Sequence, residues 1–414
     1  MTAALVIIGD EIISGLKSDT NSSLVAFRLS EVGVVVSEIV AVGDSLDDIV
    51  AELRRAAGAH DLVVATGGLG PTHDDLTREA LALAFDRKLV LDRPTLEYIE
   101  ERFAARGLKA PEAIRTMALV PEGARALRNP AGTAPGLLLE TARGAIYVLP
   151  GVPREVDAIF AGEVLAGIGR RFGGDTIATR TLRTVGIGES EIAEAIADLV
   201  PGLGVRLAFL PEETGVRLVL TADAAAEGPA ARALALDRAA AAIAGRVGER
   251  VYSTTGEDLH AVVGRLLIEK RRTIAIAESC TGGLVAHLLT EVAGISACLE
   301  RGVVAYSNRA KVDALGVDES LIERHGAVSE EVARAMACGV RERAGTDLGV
   351  ATTGIAGPAG GGPAKPVGLV YVALADRDGC RVEKYVLGGD RGGVKRRAAT
   401  RALDLVRLNL VRQP

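Results

Sequence analysis

The chain has 414 residues, room for two to four domains at about 100–200 residues each, which excludes a single small module. Hydrophobic residues make up 48% and charged residues 25%, an ordinary globular balance, but aromatics are only 3% and Trp is absent, so aliphatic cores are expected. With 48 Lys plus Arg against 54 Asp plus Glu the net charge is −6, which repels a phosphate backbone and, with few rings for stacking bases, argues against nucleic acid as a partner.

Residues 1–170 read as a first block. It opens on Leu5–Ile8 and meets Gly9-Asp10-Glu11 at once, without the basic region or apolar length of a signal peptide. No run reaches the ~18 apolar residues that span a bilayer, so a cytoplasmic chain with no membrane partner is expected. Leu5–Ile8, Val34–Val42, Leu62–Ala65 and Ala145–Leu149 are near-continuous apolar runs, the pattern of strands covered on both faces. Helical periodicity over Asn21–Leu29, Leu46–Ala57 and Thr77–Phe85 alternates with them and predicts an α/β sheet of largely parallel strands.

Residues 171–252 change rhythm. A strand at Thr181–Val185, a helix at Glu189–Leu199, a hairpin of Val205–Phe209 and Val216–Leu220, and an Ala-rich helix over Pro229–Ala244 predict a small α+β module. Residues 253–414 return to α/β. Strands are expected at Thr273–Ala277, Gly302–Tyr306, Gly349–Thr352, Leu369–Ala375 and Val382–Leu387, with helices at Leu259–Lys270, Gly283–Glu291, Glu330–Arg343 and Val394–Leu408. Ser329 is the expected cap of the third of these helices. The four cysteines (Cys280, Cys298, Cys338, Cys380) all fall in this block without a C-x-x-C pair, which disfavours a disulfide framework or structural zinc. The strings Asp61-Leu-Val-Val-Ala-Thr-Gly-Gly and Asp347-Leu-Gly-Val-Ala-Thr-Thr-Gly echo one another. A strand followed by a glycine turn recurs in any open α/β sheet, and its carboxyl edge is where ligands bind.

Gly15-Leu-Lys17-Ser18 fails the P-loop spacing, and G-x-G-x-x-G and G-x-S-x-G are absent. Thr66-Gly67-Gly68-Leu-Gly70-Pro-Thr72-His73-Asp74-Asp75-Leu-Thr77 is more informative. Its glycines free backbone N–H groups for an anion and its adjacent carboxylates suit a hard divalent cation; the competing reading is a tight turn with Asp74 or Asp75 as a helix cap. Asn129-Pro-Ala-Gly132-Thr133-Ala-Pro-Gly136 and Leu149-Pro-Gly151-Val-Pro-Arg154-Glu155 read as pocket rims. In the last block, Glu278-Ser279-Cys280-Thr281-Gly282-Gly283 joins a strand to a helix, and Tyr306-Ser-Asn-Arg-Ala-Lys311 stands at another strand end. Ser279, Tyr306 and Lys311 together could hydrolyse an amide without histidine, although Ser279 or Thr281 could equally cap the helix. Cys280 is the rival nucleophile, but no histidine lies near it in sequence.

Taken in order, these strings resemble the competence/damage-inducible CinA family. The first block is similar to its molybdopterin-biosynthesis-like domain through Gly9-x-Glu11, Asp19-Thr-Asn21, the glycine loop to Thr77, and the two rim strings. The second is similar to its KH-like domain through Arg183-Thr-x-Gly-Ile-Gly-Glu-Ser190. The third resembles its nicotinamide-nucleotide amidase domain through the Glu278 and Tyr306 strings, Gly326-Ala-Val-Ser329, Thr353-Gly354-Ile-Ala-Gly357-Pro358, Lys365-Pro-Val-Gly368 and Gly389-Asp-Arg391. The resemblance implies two α/β domains with mainly parallel sheets, joined by a small KH-like α+β domain. It also implies two hydrolytic activities: deamidation of nicotinamide mononucleotide at Ser279, with Tyr306 and Lys311 adjusting the proton, and cleavage of ADP-ribose at its pyrophosphate.

The amidase half is expected to need no cofactor, with Thr281, Gly282, Gly283, Thr353, Gly354, Gly357 and Arg391 binding substrate and Arg391 meeting the 5′-phosphate. The ADP-ribose half is expected to use Mg²⁺ or a similar divalent cation on Asp74, Asp75 and Glu11. Its substrate contacts would be Asn21, Gly67, Gly68, Gly70, Thr72, Asn129, Gly132, Thr133 and Gly151. The alternative is a first domain that only binds a pterin or nucleotide. A homodimer is expected from the exposed sheet edges.

Overall fold

The computed structural model describes residues 2–32, 34–172, 179–222 and 228–413. The chain divides into two compact units, residues 1–178 with 227–230, and residues 179–226 with 231–414. Among the described residues, no helix is long and apolar enough to cross a membrane.

In the first unit, strands β1 (Thr2–Ile8), β2 (Val35–Val42), β3 (Leu62–Thr66), β4 (Arg125–Leu127), β5 (Gly136–Glu140) and β6 (Ala145–Leu149) form one sheet in the order β2-β1-β3-β6-β5-β4. The first four in that order are parallel, and β5 and β4 extend it antiparallel. Helices α1 (Asn21–Glu31), α2 (Leu46–Ala59) and α3 (Thr77–Ala84) return the chain between them. Two aliphatic cores result, one on each face: Leu5, Leu62 and Tyr147 point to one, Val6, Val63 and Val148 to the other. β2 departs from the expectation of a strand covered on both faces. It is the edge of the sheet, and Val35 and Ile39 are more than half exposed, with no strand or helix among the described residues covering them.

In the second unit, β7 (Thr179–Thr184), β8 (Val205–Pro211), β9 (Val216–Ala222) and β10 (Val251–Ser253) form an antiparallel sheet ordered β8-β9-β7-β10, with helices at Glu189–Ile196 and Gly228–Val247. A third sheet follows, built from β11 (Ile274–Glu278), β12 (Leu299–Val304), β13 (Leu348–Gly354), β14 (Leu369–Asp376) and β15 (Gly379–Val386) in the order β12-β11-β13-β14-β15. β12, β11 and β13 are parallel; β14 and β15 are antiparallel. Its helices include α4 (Leu284–Thr290), α5 (Asn308–Leu315), α6 (Glu330–Ala344) and α7 (Arg391–Arg412). Ser329 caps α6, accepting the Val332 N–H.

The antiparallel sheet and the last sheet share a core. Val185, just past β7, packs into the same apolar cluster as Ile274, Val372 and Val406. At the β8–β9 hairpin tip, Glu213 pairs with Arg396 and gives its backbone oxygen to Arg397, both on α7. At the other end of α7, Arg407 donates to the Glu249 carbonyl at 2.7 Å and Arg412 pairs with the Glu249 carboxylate at 2.6 Å.

Candidate functional site

Ser279 leaves the carboxyl end of β11 with its N–H donated to the Thr352 carbonyl of β13 at 3.0 Å. On the other side, Ala305 just past β12 donates its N–H to the Glu278 carbonyl at 2.8 Å, so two chain segments exit side by side. The second enters α5 at Ser307, whose hydroxyl accepts the Ala310 N–H as a cap. Lys311 lies one turn into α5, and its side chain returns to the strand ends. Nζ donates to Ser279 Oγ at 3.0 Å, to the Ala305 carbonyl at 2.8 Å and to the Tyr306 carbonyl at 3.3 Å.

Both partners of the first contact are shut from water, Lys311 being 1% and Ser279 8% exposed. Burial pushes the Lys311 pKa below that of an ordinary lysine, because the charged form loses its hydration. In this arrangement Nζ is the donor; once it has lost a proton, its lone pair lies 3.0 Å from the Ser279 hydroxyl and can take that proton. The neighbouring Cys280 thiol is pushed up to about 12 by burial, the state of an inert structural cysteine.

Several residues of this region have other duties than expected. Tyr306 is 60% exposed and its hydroxyl accepts from Arg391 at 2.8 Å, not from Ser279; Lys311 holds its backbone while the ring faces outward. The Gly282 N–H donates to the Ser279 carbonyl at 3.2 Å and the Gly283 N–H to the Glu278 carboxylate at 2.8 Å, so neither is free for a substrate oxygen. Both glycines have positive φ, 63° and 95°, which the sharp turn into α4 requires. Glu278, 1% exposed, also accepts from Val285 and Ala286 at 3.1 and 2.9 Å and so caps α4 from the strand end. The Thr281 hydroxyl is tied to that of Thr352, and Thr353 donates to the Ala327 carbonyl. Gly354 ends β13, and the Gly357 carbonyl accepts from Arg391 at 2.6 Å.

At the carboxyl edge of the first sheet lies a cleft of about 600 Å³, lined among others by Glu11, Asn21, Gly67, Gly68, Gly70, Asp74, Asp75, Thr133 and Gly151. Thr72, Asn129 and Gly132 are not on its wall; they build it. The buried Asn129 amide nitrogen donates to the Ala134 carbonyl and the Glu155 carboxylate, and its oxygen accepts from Ala131 and Gly132. Gly132 admits Glu155, whose carboxylate a Cβ there would strike. The Gly67 N–H is spent on the Leu149 carbonyl, and Thr77 fastens the loop by bonding the Gly67 and Gly68 carbonyls. Two oxygens remain unsatisfied on this wall, Asn21 Oδ1 and Thr66 Oγ1, both buried and without a hydrogen-bond partner. The Asn21 Nδ2 donation to the Gly151 carbonyl fixes the amide so that Oδ1 is an acceptor awaiting a donor.

The expected cation ligands do not form a ready-made cage. Asp75 Oδ2 accepts the N–H and the hydroxyl of Thr72, closing its own turn. Among the described residues no three His, Cys, Asp or Glu side chains group so as to hold a metal ion. The remaining acids nonetheless gather charge. The Thr72 hydroxyl, then the backbone, hold the exposed Asp74 carboxyl below its usual range. Asp44 is raised by burial and by the nearby Asp10, Glu11 and Asp74 carboxylates, against a backbone hydrogen bond from Asp10. One or two such carboxylates, completed by substrate phosphate oxygens, are what Mg²⁺ ordinarily uses. Sequence reasoning passed over Asp44, Thr66 and the capping role of Glu278. Thr66 and Glu278 are polar residues closing apolar strands, and Asp44 follows a strand by two residues; those positions were the available signal.

Three family models match the chain in succession: a probable molybdopterin binding domain over residues 4–168, the damage-inducible protein CinA KH domain over 179–253, and the CinA C-terminal domain over 256–410. A CinA-like protein of Salinibacter ruber is 45% identical across 99% of this chain and 100% of its own length. Another, of Gemmatimonas aurantiaca, is 42% identical across 100% of this chain and 97% of its own. Among solved structures, a competence-damaged protein (CinA) superfamily protein from Klebsiella pneumoniae is 34% identical over 37% of this chain and 96% of that one, with a TM-score of 0.36. Full-length identity of this order, with all three segments in sequence, means that the chain belongs to the CinA family.

Proposed function

We propose that the protein is a two-site hydrolase of pyridine-nucleotide recycling, with its better-defined chemistry in the C-terminal domain: deamidation of nicotinamide mononucleotide to nicotinate mononucleotide and ammonia. The observation that carries this reading is the buried contact between Lys311 Nζ and Ser279 Oγ. Lys311, whose burial eases loss of its proton, takes the hydroxyl proton in its unprotonated form as Oγ attacks the carboxamide carbon. The resulting ammonium returns that proton to the departing nitrogen, and the C–N bond breaks to leave an ester on Ser279. Water then attacks the ester, with Lys311 again removing and returning a proton, and the carboxylate is released. With Tyr306 turned to Arg391, the proton traffic falls to Lys311 alone. Ammonia release from nicotinamide mononucleotide by purified protein tests the reading. Ser279→Ala should abolish it while leaving the fold and the first domain's turnover intact; retained release would remove Ser279 as nucleophile.

For the first domain we propose hydrolysis of ADP-ribose to AMP and ribose 5-phosphate. Asp74, with Glu11 or Asp44, would hold a divalent cation together with the pyrophosphate oxygens; bound there, the cation would neutralise the charge of the diphosphate. Asn21 Oδ1 and the Thr66 hydroxyl would take donor groups of the ligand. The absence of a three-carboxylate cluster among the described residues favours a second reading, in which this cleft captures a nucleotide or pterin without turning it over. AMP formation with and without Mg²⁺, beside calorimetric binding, separates the two.

A further inference from the structure

The amidase reading requires a counter-charge for the substrate's single anionic group, its 5′-phosphate, and the helix end nearest the nucleophile cannot supply it. Glu278 occupies the N-terminal N–H groups of α4. The Arg391 guanidinium is held in place by the Gly357 carbonyl and the Tyr306 hydroxyl, neutral partners that leave its charge available beside a second cation. Of the other basic residues in the first turns of α7, Arg396 pairs with Glu213, and Arg397 bonds the Glu213 and Gly388 carbonyls.

Lys395 is different. It stands four residues after Arg391 on α7 and so on the same helix face. Its side chain leans over the nucleophile turn: a Cβ built on Gly282 would lie 3.5 Å from Nζ. The turn itself is tight, since the Gly282 N–H bonds the Ser279 carbonyl, which keeps the two Cα atoms within about 7 Å. The nearest acid on its own helix end, Asp390, is spent capping the Gly393 N–H at 2.7 Å. Among the described residues the Lys395 ammonium makes no ion pair or hydrogen bond, although it is half-buried. An unmatched cation at this place cannot face the pyridinium ring, which carries positive charge itself; it suits the opposite end of the nucleotide.

We propose that Lys395 binds the 5′-phosphate of the substrate and so sets the preference of the Ser279–Lys311 centre for a nucleotide over its nucleoside. The inference rests on the amidase reading for its substrate, and not for the presence of an anion site. The phosphate receives a charge-assisted hydrogen bond from Nζ, while Arg391 keeps the Gly357 and Tyr306 segments in place around it.

The experiment compares wild-type protein, Lys395→Met and Lys395→Arg in ammonia release from nicotinamide mononucleotide and from nicotinamide riboside, and in calorimetric binding of ribose 5-phosphate. Lys395→Met should raise KM for the mononucleotide about tenfold or more with kcat nearly unchanged, leave the riboside kinetics alone and weaken ribose 5-phosphate binding to the same degree. Lys395→Arg should recover most of the loss. Should Lys395→Met not fold, Lys395→Gln carries the same comparison. Unchanged KM for the mononucleotide, or an equal loss on both substrates, overturns the proposal. If wild-type protein releases ammonia from neither compound, the amidase reading falls, and the ribose 5-phosphate titration of the wild type against the variant still decides whether Lys395 is an anion site.

Discussion

The first and last sheets use the same frame for opposite electrostatic ends. β2-β1-β3 and β12-β11-β13 are both parallel trios with the central strand first in order of use. Their amino ends are even fastened alike: Asp61 accepts the Thr2 N–H at 3.1 Å, and Asp347 accepts the Thr273 N–H at 2.8 Å. At the carboxyl ends they part. Glu278, Ser279, Thr281 and Lys311 are all less than a tenth exposed, and burial there changes what a lysine is. Glu11 and Asp74 stay about half exposed on an open cleft, within reach of water. A strand end thus becomes a buried Ser–Lys contact when the following helices seal it, and a cleft of exposed carboxylates when they leave it open.

The comparison breaks most sharply at Lys311. Lys311→Met should lower ammonia release by about a thousandfold, within the range a general base contributes, and leave ADP-ribose cleavage unaffected. Lys311→Arg should not rescue it, because a guanidinium does not give up its proton. Equal rates in the variant would show that the buried amine is structural.

The pH profile sharpens the same point. On the amidase reading Lys311 acts unprotonated; its pKa is lowered, so kcat/KM for ammonia release should fall as pH drops through that lowered value and level off above it. Lys311→Met should erase this limb from any residual rate, and the first domain's profile should lack it. A limb that survives the substitution belongs to another group.

In the open cleft, Asp74→Asn should raise the Mg²⁺ needed for half-maximal AMP formation about tenfold, as expected when one of few carboxylates is lost. Asp75→Asn should act differently, loosening the Thr72 turn and the thermal stability more than the Mg²⁺ response. Identical Mg²⁺ shifts in the two would return Asp75 to the cation.

The smallest effect tests the shared frame. Asp347→Asn should cost about 1–2 kcal/mol in denaturant unfolding, because Asp347 also takes the Thr273 hydroxyl and Arg272. Asp61→Asn, with one backbone hydrogen bond and a distant Arg143, should cost less than about 1 kcal/mol. The reverse order would deny the two aspartates a common role.

Much of this frame was legible in the chain. Ala145–Leu149 and Leu259–Lys270 fall where apolar periodicity puts them, and the residues singled out at Ser279 and Lys311 meet in space. What could not be read was how polar groups divide between ligand and scaffold. Asn129, Asp75 and Gly283 look like binding residues in sequence, yet each is consumed by a partner that only the folded backbone supplies. The helix Asn308–Leu315 was also missed, since it is short and its apolar side is only Ala310, Val312 and Leu315 with Lys311 buried among them, and with it the reason Lys311 reaches Ser279.

The hairpin tip that grips α7 through Glu213 has a consequence for how the protein comes apart. Val185 shares a core with the last sheet, and Glu249 holds the far end of the same helix, so the second and third family segments have no independent way to melt. A chain of three inherited pieces should show two cooperative transitions on heating, and a protease should find no early cut between residues 251 and 259.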